Sequence, residues 1–222
     1  MDISLFSQKL LSRLPVYLDY IKSLPEETEN ISATTIAADL GFGHVQVRKD
    51  LAKISDSGRS RLGHSRKILI RNIEQFLNYT STTGTIVIGT NDLGGILLDY
   101  NGFENYGLTI VAGFDLHPQA EQSALGKPIY PISRLESFCN CYSIHIAILT
   151  AAPSDAQELC DRLVSCGVRA VWNFTPVRLK VPKNVVVKNE DLSVSVSSLR
   201  MQIGSNHGIP QSHSISEFSP TP

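Results

Sequence analysis

At Thr85 the hydrophobic period of this chain changes, and the change limits its fold more than any other feature. Before that point apolar residues recur at helical spacing. After it they gather in short, near-continuous runs rich in β-branched residues. The runs at 85–89, 108–114, 144–149, 170–172 and 185–187 are separated by helical or loop stretches. Strands that are apolar on both faces and alternate with helices predict a parallel sheet covered on both sides. One connecting helix is marked by Ser154 and Gln157 at capping-box spacing and by Gly167 after its last turn. The last helix is expected at 190–201, and the Ser- and Pro-rich stretch 205–222 reads as a disordered tail.

Upstream, 5–24 shows helical spacing, with Leu10, Leu11, Leu14, Leu18 and Ile21 on one side and Pro15 in a first turn or at a kink. Ser32 suits the N-cap of a short helix at 33–40 that Gly41 closes. A second helix is expected at 44–54 with Val45, Val47 and Leu51 inward, and the helix–glycine turn–helix spacing predicts a helix-turn-helix. Glycines interleaved with arginines at 56–64 predict a tight basic hairpin, as in the wing of a winged helix, before a further helix at 67–79.

Charge gives that segment a partner. The chain has a formal net charge of −1, but between His44 and Arg71 stand Arg48, Lys49, Lys53, Arg59, Arg61, Arg66, Lys67 and Arg71, opposed only by Asp50 and Asp56. A local basic stripe on a nearly neutral chain is the footprint of a phosphate-binding face. A recognition helix reaches base edges from the major groove with long donors, which His44, Gln46, Arg48 and Lys49 supply. Gln46 could pair with adenine and Arg48 with guanine, and either could as easily hold a phosphate. Arg59 and Arg61 would suit the minor groove or flanking phosphates. Double-stranded DNA is the expected partner.

The first β-rich run leads into Gly89, Thr90, Asn91, Asp92, Leu93 and Gly94. Such a strand–turn–helix brings a helix N-terminus onto a pyrophosphate, with glycine at the first and third positions of G-x-G-x-x-G and Asn91 at the middle one. An acidic residue is expected about twenty positions on, to hold the ribose 2′-hydroxyl. Asp115 stands 21 positions after Gly94, and its charge favours NAD(H) over a 2′-phosphorylated cofactor. The predicted fold class is therefore α/β: an N-terminal winged helix-turn-helix domain and a Rossmann-like parallel-sheet domain.

Composition sets the outer limits. At 222 residues the chain can form two small domains. Hydrophobic content of 42% and charged content of 18% fit a globular protein, and no apolar run approaches the ~20 residues of a membrane helix. Residues 1–4 lack a signal-peptide layout, so a cytoplasmic location with no membrane partner is expected. Cys139, Cys141, Cys160 and Cys166 form no C-x-x-C pair and have no histidine at ligand spacing; they read as small buried hydrophobes, with no metal site.

Together these segments resemble the Rex family of redox-sensing transcriptional repressors. The resemblance runs from about Arg13 to Ile203 and is carried by 13–17, Ile31 and Ser32, 47–51, 93–103, Phe114 and Asp115, 173–176, and Asp191 and Leu192. It implies a homodimer on inverted-repeat operators of fermentation and respiration genes, released when NADH displaces NAD+. It also implies a C-terminal helix exchanged between subunits. The domain boundaries expected are 1–81 for DNA binding, 82–189 for NAD(H), 190–204 for the exchanged helix and 205–222 for the tail. In the family an arginine on the first helix, a tyrosine after the dinucleotide helix and an aspartate opening the last helix trade contacts during the switch. Tyr100 and Asp191 match, but Asp19 occupies the arginine position, Asp92 stands for the usual asparagine, and Arg61 and His64 replace a glycine and a tyrosine of the wing. Tyr100 is accordingly placed with the cofactor residues and with the switch residues Asp19 and Asp191.

A small NAD-dependent oxidoreductase is the alternative from another class. It would need a proton-transferring group and a substrate domain. The sequence has no Tyr-x-x-x-Lys pair and no spare ~100 residues for a catalytic domain. A regulator, not an enzyme, is expected, with an altered or lost NAD(H) response as the second possibility.

Overall fold

The computed structural model describes residues 8–55 and 63–206. They form two compact units, one of the described residues up to Thr83 together with Asn101–Thr109, the other of Gly84–Tyr100 together with the described residues from Ile110 on.

The first unit holds α1 (Gln8–Ser23), β1 (Asn30–Ile31), α2 (Ala33–Leu40), α3 (His44–Leu51), β2 (His64–Ser65) and α4 (Arg66–Phe76), with a 3-10 helix at Asn101–Tyr106. Pro15 lies in the interior of α1, not in its first turn. Ser32 caps α2 by accepting from the Thr35 amide at 3.0 Å, and Gly41 ends it in the left-handed region at φ 69°. The helix expected to reach 54 stops at Leu51, and the one expected at 67–79 is α4. β1 and β2 pair antiparallel through Ile31 and His64. Leu10, Leu14, Tyr17, Leu18 and Ile21 of α1 pack with Ile36, Val47, Leu51, Leu69 and Ile73 in one core.

The second unit is a six-stranded sheet of order β5-β4-β3-β6-β7-β8. Its strands are β3 (Thr83–Ile88), β4 (Leu108–Asp115), β5 (Ile129–Pro131), β6 (Ile146–Leu149), β7 (Ala170–Asn173) and β8 (Val186–Asn189). The β3/β6, β4/β5, β6/β7 and β7/β8 pairs are parallel. The helices are α5 (Asp92–Asp99), α6 (Leu135–Cys141), α7 (Ala156–Ser165) and α8 (Leu192–Asn206). β3 neighbours both β4 and β6, so the strand order reverses beside it, and a crevice opens beyond the carboxyl ends of these strands.

Three expectations need correction. The capping box before α7 does not form: Asp155 takes the N-cap position, and Gln157 donates to Asp161 and to the Lys180 carbonyl instead. The last helix begins at Leu192 and runs to Asn206, so residues 205 and 206 are helical, not tail. Val45 faces outward, 51% exposed, because the buried residues of α3 are Val47, Asp50 and Leu51, spaced to share one face.

Candidate DNA-facing helix and nucleotide cavity

The buried face of α3 is held by an ionic centre. Asp50 is 1% exposed. Its carboxylate accepts from Arg13 Nε at 2.8 Å and Nη2 at 3.0 Å, from the Tyr17 hydroxyl at 3.0 Å and from Gln46 Nε2 at 2.8 Å. Burial, then the bond to Asp50, pushes the Tyr17 hydroxyl up to about 12. The bond to Asp50 also raises the Arg13 guanidinium. Asp50 is thus removed from the charges that oppose the basic stripe. The outer face carries His44, Gln46, Arg48 and Lys49, all exposed, with the Gln46 amide turned back to Asp50.

Arg66 does not belong to that outer face. Its guanidinium donates to the carbonyls of Ile21, Lys22 and Leu24 and closes the end of α1. Lys67 and Arg71 of α4 are exposed. The expected wing arginines, Arg59 and Arg61, lie outside the described residues. His64, beside that segment, is 7% exposed, its Nδ1 has no partner among the described residues, and burial lowers its pKa. On α1, Asp19 accepts from the Tyr106 hydroxyl at 3.2 Å, and Tyr106 packs edge-on against Tyr79.

The nucleotide motif is built as expected at its two ends. Gly89 has φ 88°, and a Cβ there would fall 2.9 Å from the Ala151 nitrogen. A Cβ at Gly94 would fall 1.8 Å from the Gly89 carbonyl oxygen. Both positions therefore require glycine. Asn91 between them has φ −83° and does not. It heads α5 without a side-chain capping bond, and the Gly94 amide donates to the Asn91 carbonyl at 2.9 Å, which leaves the Asp92 and Leu93 amides ahead of it to another acceptor. Asp92 follows in the left-handed region at φ 42°.

A cavity of about 650 Å³ opens at this turn. It is lined by Gly89, Asn91, Asp92 and Leu93 from the β3–α5 turn and by Asp115, Leu116, His117 and Gln119 after β4. Thr150, Ala151, Ala152 and Asp155 follow β6, and Phe174 follows β7. Thr90 and Gly94 shape the cavity without lining it: Thr90 donates to Asp115 Oδ2 from its amide at 2.7 Å and its hydroxyl at 3.0 Å. Asp115 Oδ1 accepts from the His117 amide at 3.0 Å, which leaves that oxygen one lone pair toward a ligand. Tyr100, 52% exposed at the end of α5, is outside the lining, and Asp191 is exposed and accepts from Ser193. The Ser193 bonds hold the Asp191 carboxyl below its usual range.

The half of the lining after β6 and β7 was missed in the sequence. Its only signal was the turn 173–176. There buried Asn173 accepts from the Thr175 amide and hydroxyl and donates to the Val177 carbonyl, and so places Phe174 at the cavity. The glycine cradle and free helix terminus fit a dinucleotide diphosphate. Burial pushes the Cys139 thiol to about 12, the Cys160 thiol to about 11 and the Cys166 thiol upward, while Cys141 is exposed rather than buried. Among the described residues no helix is long and apolar enough to cross a membrane, and no cluster of metal-ligating side chains forms.

Comparison with known proteins agrees with both halves. Residues 7–52 match the family model described as putative DNA-binding protein N-terminus, and residues 80–177 match the CoA binding domain model. The redox-sensing transcriptional repressor Rex of Bacteroides fragilis is 37% identical over 193 residues, covering 86% of this chain and 88% of that protein. The crystal structure of RSP in complex with β-NAD+ and operator DNA superposes with a TM-score of 0.85 at 30% identity, covering 90% of this chain and 94% of that one. RSP in complex with β-NADH gives a TM-score of 0.79 at 29% identity, covering 90% and 95%.

Proposed function

Because the chain belongs to the Rex family of redox-sensing transcriptional repressors, we propose that it is a DNA-binding repressor that senses the NADH/NAD+ ratio and not an enzyme. The observation that carries this reading is the pairing of an outward basic α3, pinned through Asp50, with a glycine-cradled cavity at the strand-order reversal. His44, Gln46, Arg48 and Lys49 would meet the major groove, with Arg59 and Arg61 beside it. NAD(H), when bound, supplies the redox signal as the charge and shape of its nicotinamide ring. The Asp92 and Leu93 amides at the start of α5 would hold its diphosphate, and the remaining Asp115 lone pair would hold a ribose hydroxyl.

The homodimer belongs to the same proposal. Leu192, Val194, Val196, Leu199, Met201 and Ile203 of α8 are all more than half exposed, and covering each would contribute about 1.5–3 kcal/mol. Exchange of α8 between two copies would bury them and would match two half-sites of an inverted repeat. A cytoplasmic location, beside the operator DNA, is part of the same proposal.

Selection of the full-length protein on a randomised DNA duplex pool tests the reading. Recovery of an inverted repeat, released by NADH and retained with NAD+, is expected. Failure to enrich any duplex overturns it. A second reading, weakened release by NADH, is favoured by Asp19, which binds Tyr106 where the family carries an arginine. In that case Asp19→Arg strengthens release in the same assay.

A further inference from the structure

The cavity is unusual in its charge. Asp92, Asp115 and Asp155 line it, and among the described residues its lining includes no lysine or arginine. The three carboxylates are not equivalent. Asp115 is buried and takes three hydrogen bonds on the β4 side of the strand-order reversal. Asp92 stands at the turn itself, on the first residue of α5. Asp155 lies on the opposite side, after β6, half-buried at the amino end of α7 and facing the same space as Thr150, Ala152 and Phe174. Its carboxylate accepts from the Ser154 hydroxyl at 3.0 Å, and it makes no ion pair among the described residues.

A dinucleotide in such a crevice lays one nucleotide on each side of the reversal. With the adenosine half at Asp115, the nicotinamide half falls on the side of Asp155. We propose that Asp155 biases this cavity toward the oxidised dinucleotide, whose nicotinamide ring carries a positive charge that the reduced ring lacks. The inference rests on the NAD(H) reading above. The amino end of a helix presents roughly half a positive charge, which by itself would disfavour a pyridinium cation. A carboxylate at the N-cap reverses the sign of that field. Asp155 thereby raises the NADH/NAD+ ratio at which the reduced form takes over the site. Ligands that differ in one charge are separated by the charge facing them, not by the hydrogen bonds they share.

Calorimetric titration of the full-length protein with NAD+, NADH and ADP-ribose tests this. Asp155→Asn should weaken NAD+ relative to NADH by roughly three- to tenfold, as expected for one partly screened charge several ångströms away. ADP-ribose, which has no nicotinamide, should move with NADH. Asp155→Glu should keep the parent ratio. Ala152→Lys, which adds a cation to the same lining and leaves Asp155 in place, should shift the ratio in the same direction as Asp155→Asn and does not depend on that variant folding. Equal changes for NAD+ and NADH in these variants overturn the inference and leave the nucleotide site standing. No binding of any of the three ligands by the parent overturns the inference and the NAD(H) reading together.

Discussion

Arg13→Ala is the sharpest test of what holds α3. It removes the bidentate donor to Asp50, a carboxylate whose side chain is 2% exposed, and leaves that charge with the Tyr17 hydroxyl and the Gln46 amide. Breaking a buried pair from one side costs about 3–5 kcal/mol. Two donors remain and Arg13 itself is 17% exposed, so the low end, about 3 kcal/mol, is expected. For a unit of this size each kcal/mol moves Tm by about 4–8 °C, which gives a fall of roughly 12–24 °C. Trp172 is the single tryptophan and lies on β7, so its fluorescence follows the dinucleotide unit alone. Circular dichroism of Arg13→Ala should show an early helical transition while the Trp172 transition stays in place. In a double-mutant cycle, Arg13→Met with Asp50→Asn should recover at least about 1 kcal/mol relative to the sum of the single changes. Strict additivity, or a cost for Arg13→Ala below about 1 kcal/mol, would refute the buried ionic centre as the tie between α1 and α3.

Three further outcomes are expected. Gly94→Ala drives a Cβ into the Gly89 carbonyl and should cost about 3 kcal/mol or more in the Trp172-monitored transition, whereas Asn91→Gly, at a negative φ, should leave that transition within about 1 kcal/mol and tighten NADH in a fluorescence titration. Arg48→Ala should weaken DNA binding across sequences and lower the salt slope by about 1, while Arg66→Ala, which strips donors from the end of α1, should lower the stability of its unit more than it changes that slope. His64 titrates lower in the folded chain than in the unfolded one because it is buried, so the unfolded chain binds more protons as pH falls through the mid-sixes and stability drops with it; urea melts at pH 7.5 and 5.5 should diverge for the parent and converge for His64→Leu.

What was legible in the sequence followed from local signals. The period change at Thr85 located five of the six sheet strands, and Ser32 with Gly41 located α2. β5 was missed because it is three residues long and ends in Pro131. The capping signal at Ser154 failed because Asp155, one residue on, takes the cap position, and the glutamine finds a carbonyl 23 residues away. The sequence sets Asp50 against the basic stripe because its partners on α1 lie 33 and 37 residues upstream and carry no local mark. Yet Arg13, Tyr17 and Asp50 all fall in segments that carry the family resemblance, and the structure supplies the reason: these segments are two sides of one hydrogen-bonded centre. The cavity shows the same limit. Its β3 and β4 sides follow from glycine spacing and an acidic residue at a fixed offset. Its β6 and β7 side depends on strand order, which no spacing encodes.

The same geometry assigns α1 a role beyond packing. Arg13 and Tyr17, four residues apart, share one face of the helix and hold α3. Asp19 falls about 120° around the helix from Arg13 at 100° per residue, on a different face, and accepts from Tyr106. Tyr106 ends the 3-10 helix that begins at Asn101, one residue after α5 gives way to Tyr100, and that segment packs with the first unit although the helix before it belongs to the second. A short stretch of chain therefore leads from α5, at the cavity, to the 3-10 helix that touches α1, the helix that holds α3. A ligand shifts such an equilibrium only through a contact that differs between its two states. A hydroxyl-to-carboxylate bond at Asp19 has no cation to exchange between partners, unlike an arginine at the same position.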